Sequence, residues 1–211
     1  MTPSAKSSAL PILAAAIVAY VGLTLFGADN GPRGADQFWY LADITALLDG
    51  RGAYSSVVFP YTLLTESFSG PRPFIHNILY PYASALPGAF VGPFAGAITV
   101  NIVSHLIAAI LLYVIATRLT QDRLFSALIA AIYILFPLNS WISMNALAES
   151  TTVPFIALMG LATISIERRL WPWLACAVLT GVMIFARPSV AVFAVLLPFA
   201  YLVSNRPISV R

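Results

Sequence analysis

Three aspartates fall within residues 31–54 (GPRGADQFWYLADITALLDGRGAY), in a chain of 211 residues with only 8 acidic side chains. A carboxylate beside a hydroxyl group can take up its proton and so act as a general base. Asp36 is the candidate base of this stretch, and Asp43 is a second acidic contact for a substrate. Glu149, in NALAES, and Arg187, in FARPS, are further candidates, because arginine binds phosphate through paired N–H groups.

The spacing within this stretch predicts a helix from Asp36 to Asp49. Asp36 is a favourable N-cap and Gly50 a favourable C-terminal stop. Asp36, Tyr40 and Asp43 fall on one side of the helix, so the two carboxylates lie about 10 Å apart along its axis. Tyr40 thereby joins the candidate substrate-binding residues. A different, apolar side is formed by Phe38, Leu41, Thr45 and Leu48.

Each candidate also has a purely structural interpretation. Asp36 could serve only as the N-cap, and Asp43 and Asp49 could be solvated surface charges. Glu149 could cap the following helix or lie among lipid headgroups, and Arg187 could simply extend its charge to the membrane surface. The sequence leaves both interpretations open for each of these residues.

The amino-acid composition indicates whether the chain folds in water or in a lipid bilayer. Hydrophobic residues make up 60% and charged residues 9%, with a mean hydropathy of +0.88, whereas soluble domains carry about 25% charged residues. We therefore predict an all-α integral membrane protein that forms one membrane domain over residues 1–211, because helices satisfy their backbone groups within lipid. The 11 basic residues are scattered along the chain, which argues against a nucleic-acid partner.

Six apolar runs are predicted to cross a hydrocarbon layer about 30 Å thick. They extend over Ala9–Gly27, Ile98–Thr117, Leu124–Trp141, Thr152–Ile166, Leu170–Ala186 and Val190–Val203. The first run has no convincing cleavage site, so it is interpreted as a retained anchor. In the second run, His105 shares a face with Asn101 and Ser104 and is expected to form hydrogen bonds between helices.

The segment from Asn77 to Phe94 is apolar, but it contains Pro81, Pro87 and Pro93. Proline in a helix interior removes a backbone donor and costs about 3 kcal/mol. We therefore predict an interfacial or re-entrant helix here, with Tyr80 and Tyr82 at the level of the lipid headgroups.

The basic residues predict the orientation. With six crossings, seven of the 11 basic residues face the cytoplasm and four lie outside, as the positive-inside rule expects. Both termini are then cytoplasmic, and residues 28–97 form one long external loop. Loops of this length usually carry function, so the candidate site is expected there and at the neighbouring helix ends.

The long loop and its flanks resemble a known family of membrane enzymes. An anchor helix is followed by D-x-x-x-Y (Asp36 to Tyr40), LLDGRGAY, the proline-rich RPFIHNILYPYASALPG and a helix ending in LLYVIATRL. This order is similar to the amino-terminal half of GT-C glycosyltransferases, which take sugars from polyprenyl-phosphate donors. The resemblance implies two juxtamembrane helices in the first external loop, with Asp36 as the catalytic base.

The chain also departs from the family pattern. Gln37 stands where many members carry glutamate, and members usually continue through further crossings. The resemblance therefore implies a truncated or reduced version of such an enzyme in a bacterial inner membrane. Membrane lipids and a polyprenyl-phosphate sugar are the implied ligands, and a divalent metal is a cofactor that such a site could use.

Two classes of function follow from these observations. The first is a glycosyltransferase module that acts at the external face. The second is a non-catalytic accessory subunit that packs against other membrane protein subunits in a larger complex. The external acidic helix favours the enzyme, whereas the short chain favours the subunit. A transporter is a weaker third class, because few charges lie within the crossings.

Overall fold

The computed structural model describes residues 3–29, 31–32, 35–52, 54–55, 72–73, 78–165, 171–187 and 196. Eight helices lie in these ranges: α1 Pro3–Ala28, α2 Ala35–Leu48, α3 Leu79–Val91, α4 Pro93–Thr120, α5 Arg123–Leu135, α6 Pro137–Met144, α7 Glu149–Ile164 and α8 Trp171–Ala186. One antiparallel pair of two-residue strands, β1 (Tyr54–Ser55) and β2 (Arg72–Pro73), accompanies them. The described part is otherwise helical, which confirms the all-α part of the predicted fold class.

Two of these helices are long and apolar enough to cross a membrane, namely α1 from Ala9 to Ala28 and the 28-residue α4. A third span results if α5 and α6, which meet at a bend of 46°, are taken together. Helices α7 and α8 are apolar but have 16 residues each, or about 24 Å of length. The sixth predicted run, Val190–Val203, lies outside the described residues except for Leu196, so the count of six crossings stays a prediction.

Helices α4 and α7 lie side by side and run in the same direction. Near the start of α7, the hydroxyl of Ser150 lies 3.2 Å from the Nε2 of His105. At the other end, Arg118 donates a hydrogen bond of 3.0 Å to the hydroxyl of Ser165. The ends of α4 and α7 therefore lie together, while the start of α7 lies beside the first half of α4.

Helix α8 returns along α7, so Arg187, just after α8, pairs with Glu149 at the start of α7. Helix α1 ends on the same side of the bundle, because Gly27 lies against Met144 at the end of α6. We call this region the acidic end. It comprises the first half of α4, the start of α7, the ends of α1, α6 and α8, and α2, which is hydrogen-bonded to the turn after α6. The opposite end contains Arg118 and Arg123.

The proline-rich segment forms a helical hairpin with α4. Helix α3 has 13 residues and ends at Gly92, whose φ of +89° reverses the chain before α4 begins at Pro93. Gly96 lies so close to Gly88 that a Cβ at position 96 would be 2.6 Å from the Gly88 backbone. The segment from Asn77 to Phe94 is therefore not one continuous crossing helix, and its depth in the membrane stays a prediction.

Tyr80 and Tyr82, both predicted to lie at headgroup level, differ in their burial within the protein. Tyr80 is fully buried, whereas Tyr82 is 50% exposed. The ring of Tyr80 packs in a core cluster with Ile44 of α2 and with Ala97 and Ile98 of α4. The close approach of α3 to α4 encloses this side chain between three helices, which the proline content of the segment does not reveal.

His105 forms hydrogen bonds between helices, as predicted. Its Nδ1 lies 2.7 Å from the hydroxyl of Tyr133 on α5, while its Nε2 faces Ser150 on α7. The ring also makes an edge contact with Tyr20 of α1, with centroids 5.9 Å apart. One buried imidazole thus joins four helices in a region where apolar burial alone gives little drive for helix association.

Candidate functional site

Helix α2 forms where predicted, but Asp36 is not its N-cap. The helix already includes Ala35, so Asp36 lies inside the first turn, and its side chain is exposed. A carboxylate in the first turn is still favourable, because the helix dipole is positive there. The predicted stop is confirmed: Gly50 has a φ of +71°, and the backbone N–H of Arg51 donates to the carbonyl of Ala46.

The apolar side of α2 is not the side that the bundle buries. Phe38 is 55% exposed and Leu48 is 36% exposed, whereas Gln37 and Asp43 are buried. In a membrane protein, apolar side chains can face lipid, while polar groups are costly there and turn inward. The pattern of apolar residues therefore indicated the helix but not the face that it buries.

Gln37 connects α2 to the turn between α6 and α7. Its Nε2 donates a hydrogen bond of 2.7 Å to the Oδ1 of Asn145, and the Nδ2 of Asn145 donates to the carbonyl of Trp141. Sequence reasoning treated Gln37 only as the loss of an acid and missed this role. The signal was the amide itself, because a buried polar side chain needs a partner.

Asp43 is the buried carboxylate of α2, with only 6% of its surface exposed. Its interpretation as a solvated charge is therefore wrong, whereas Asp49 is exposed and pairs at 2.7 Å with Arg51, as a solvated charge would. Next to Asp43 in the sequence, Ile44 packs in the core cluster that contains Tyr80. Tyr40, one turn earlier, meets the Tyr80 ring edge-on, with centroids 5.1 Å apart and planes at 83°.

Polar oxygens gather around Tyr80. Its hydroxyl, the hydroxyl of Ser84 and the Oδ1 of Asn101 are buried and form no hydrogen bond of good geometry with any described residue. Burial raises the pKa of Tyr80, the side chain of Asn101 opposes this shift, and the nearby Tyr40 and Glu149 add to it. The phenol therefore stays protonated and keeps a hydrogen-bond donor within the core.

The structure brings two of the predicted residues into direct contact. Glu149 and Arg187 form an ion pair between Oε1 and Nη1, and their side chains are 38% and 34% exposed. Glu149 lies in the first turn of α7 and does not cap it, because the N-cap is Ala148. The other oxygen, Oε2, is buried and lacks a hydrogen bond within the described residues. Arg187 thus makes a specific contact, unlike a side chain that only extends toward the membrane surface.

The predicted residues therefore separate into two groups at the acidic end. In the first group, Tyr40, Glu149 and Arg187 lie at or beside the core cluster that contains Tyr80. The second group consists of the two carboxylates of α2, of which Asp43 is buried. Asp36 lies two turns before Asp43 on the exposed part of α2.

No group of three or more His, Cys, Asp or Glu side chains in the described ranges could hold a metal ion. These residues therefore do not provide a divalent metal site, and no chemical step is assigned to one.

Comparisons of the chain with protein family models, curated proteins and solved structures found no match. The resemblance to GT-C enzymes consequently depends on the sequence motifs alone.

Proposed function

We propose that the chain is a GT-C-like membrane glycosyltransferase module that uses a lipid-phosphate-linked sugar at the external face of a bacterial inner membrane. The observation that carries this proposal is the ion pair of Arg187 and Glu149 at the same end of the bundle as the carboxylates of α2. This end combines an arginine for a phosphate with carboxylates for a hydroxyl proton.

In the proposed reaction, the oxygen of an acceptor hydroxyl attacks the anomeric carbon of the sugar. The bond from that carbon to the phosphate oxygen breaks, and the electron pair leaves with the lipid phosphate. Asp36 takes up the hydroxyl proton, because its exposed carboxylate is accessible to an acceptor that arrives from water. The positive charge of Arg187 stabilises the departing phosphate, since charge-assisted hydrogen bonds to phosphate are strong.

Arg187 is suited to this role by its geometry. A guanidinium group has five N–H donors, and the contact with Glu149 uses Nη1. Glu149 fixes the orientation of the guanidinium, so less side-chain freedom is lost when a phosphate binds. Tyr40 and Asp43 supply an aromatic face and an acidic contact for the sugar.

The distribution of the carboxylates and of two arginines supports the external placement. Asp36, Asp43 and Glu149 belong to the acidic end, while Arg118 and Arg123 belong to the opposite end. Arginine and lysine are enriched on the cytoplasmic side of membrane proteins. The six-crossing arrangement, with cytoplasmic termini and residues 28–97 outside, agrees with this distribution and forms part of the proposal.

The test is sugar transfer by the full chain in lipid vesicles, supplied with a panel of polyprenyl-phosphate hexoses and pentoses. Asp36→Asn keeps the shape of the side chain but removes the base, so transfer should fall about 10²-fold. Asp49→Asn is the matched control, because Asp49 is an exposed aspartate on the same segment. If Asp43→Asn abolishes transfer while Asp36→Asn does not, the base is Asp43. Equal transfer by the wild type and all three variants would refute both assignments.

An accessory subunit is the second candidate, and one feature of α3 favours it. Four residues at a spacing of four form an exposed apolar stripe on this short helix, with Phe90 86% and Leu86 75% exposed. The stripe continues through Tyr82 and Ile78. Such an exposed apolar surface can pack against another membrane protein subunit.

The mass of the particle in lipid nanodiscs separates the two candidates. A lone chain of 22.7 kDa that transfers sugar would establish the enzyme and exclude an obligatory complex. Constant copurification with other membrane proteins, without transfer by the chain or by the complex, would establish the accessory subunit.

A further inference from the structure

A groove runs between α7 and α8 at the end of the bundle opposite the carboxylates. Its volume is about 510 Å³, which is within the usual range for small-molecule sites. Leu158 and Leu161 of α7 form one wall, and Leu174 and Val178 of α8 form the other. Apart from Arg118 and Ser165, the described lining residues are apolar or aromatic.

The open side of the groove is apolar. Trp171, Leu174 and Val178 are 62%, 58% and 66% exposed. Below them, α7 and α8 pack through Met159 and Cys176, which are buried. The floor of the groove is thus closed by the core, while its open side presents hydrocarbon side chains to the surroundings of the bundle.

Among the described lining residues, one is a cation, and it stands at one end of the groove. Arg118 is exposed in the last turn of α4 and donates a hydrogen bond of 3.0 Å to the hydroxyl of Ser165. That hydroxyl in turn donates to the carbonyl of Leu161 at 2.7 Å. The partner of Arg118 is thus neutral, and no carboxylate of the described segments forms an ion pair with it. Its charge is available to an anion.

We propose that this groove binds one anionic phospholipid of the cytoplasmic leaflet. The phosphate accepts hydrogen bonds from Arg118, and one acyl chain lies between Leu161 and Val178. The apolar walls of the groove match the acyl chain of a phospholipid, and Arg118 at its end matches the phosphate. Basic pockets on the cytoplasmic side of membrane proteins bind acidic headgroups. The inference does not depend on sugar transfer, which is assigned to the other end of the molecule.

The experiment measures lipid retention by native mass spectrometry. The full chain, purified in detergent, is mixed with phosphatidylglycerol and phosphatidylcholine at equal mole fraction. We expect one retained phosphatidylglycerol per chain, and Arg118→Gln should reduce the preference for it about tenfold. Arg123→Gln is the matched control, because Arg123 is an exposed arginine at the same end but does not line the groove.

A second variant tests the position of the acyl chain. Val178→Trp fills the groove, and because Val178 is 66% exposed, the larger side chain can be accommodated without disturbing the core. It should reduce retention of both lipids at least severalfold, with an unchanged melting temperature. Equal losses in Arg118→Gln and Arg123→Gln, unchanged retention in Val178→Trp, or no retained lipid in the wild type would each overturn the proposal.

Discussion

The crossing of α3 and α4 allows a sharp test of how closely the two helices pack. In Gly96→Ala, the added Cβ would lie 2.6 Å from the Cα and the backbone nitrogen of Gly88 and 2.7 Å from the carbonyl oxygen of Ser84. Carbon atoms in contact normally lie about 3.5 Å apart or more. The helices must therefore separate by about 0.9 Å at this point, because no flexible side chain can move aside.

The energetic cost of this separation can be estimated. Overpacking by one methyl group costs about 1–3 kcal/mol, while replacing glycine by alanine inside a helix gains roughly 0.5–1 kcal/mol. Gly22→Ala provides the control, because Gly22 lies inside α1 and a Cβ there meets nothing within 4 Å. The difference between the two variants cancels the helix-propensity gain and leaves the cost of the crossing.

The measurement is thermal unfolding of both variants in the same detergent. For a chain of this size, 1 kcal/mol corresponds to about 2–4 °C in melting temperature, so Gly96→Ala should melt roughly 2–12 °C below Gly22→Ala. Gly88→Ala should resemble the control, because its Cβ would be 3.5 Å from the side chain of Leu48. Equal melting temperatures for Gly96→Ala and Gly22→Ala would refute the close crossing.

Three further predictions concern orientation, the polar core and the ion pair. A membrane-impermeant thiol reagent added outside should label Ser67→Cys and not Ser204→Cys; labelling of both would refute six crossings. His105→Leu removes two interhelical hydrogen bonds and should lower the free energy of unfolding by about 1–3 kcal/mol in denaturant titration; unchanged stability would contradict this role. Arg187→Leu should lower both the melting temperature and the rate of sugar transfer. The double variant with Arg187→Leu and Glu149→Leu should recover the melting temperature but not the transfer rate, because it leaves no unpaired charge. Recovery of transfer in the double variant would exclude Arg187 as the phosphate ligand.

Much of the helical framework was predictable because local sequence determines it. The first two crossings correspond to α1 and α4, and Gly50 ends α2 as its freedom to adopt positive φ suggests. The third predicted run is interrupted, because Pro137 cannot donate a backbone hydrogen bond and the helix bends by 46° there. The prolines before α4 led to the prediction of an interrupted segment, whereas the run Leu124–Trp141 was predicted as one crossing although it contains Pro137.

The burial of individual polar residues was less predictable. Hydropathy distinguishes lipid from water, but both the lipid-facing and the buried surfaces of a membrane helix are apolar. Phe38 and Leu48 are therefore exposed although they are apolar, whereas Asp43 is buried although it is acidic. Only the contacts with α3 and α4 determine which side of α2 is enclosed, and these come from residues far away in the sequence.

The turn between α6 and α7 explains why the polar residues concentrate at the acidic end. Ser143 makes a hydrogen bond of 2.6 Å with Tyr20 of α1, and its carbonyl accepts from Asn101 of α4 at 3.3 Å. Asn145 accepts from Gln37 of α2. Three helices thus hold this turn, and Glu149 follows it within one turn of chain. The hydrogen bonds that join the bundle also fix the carboxylate that orients Arg187, so the position of the candidate site is determined by the polar core itself.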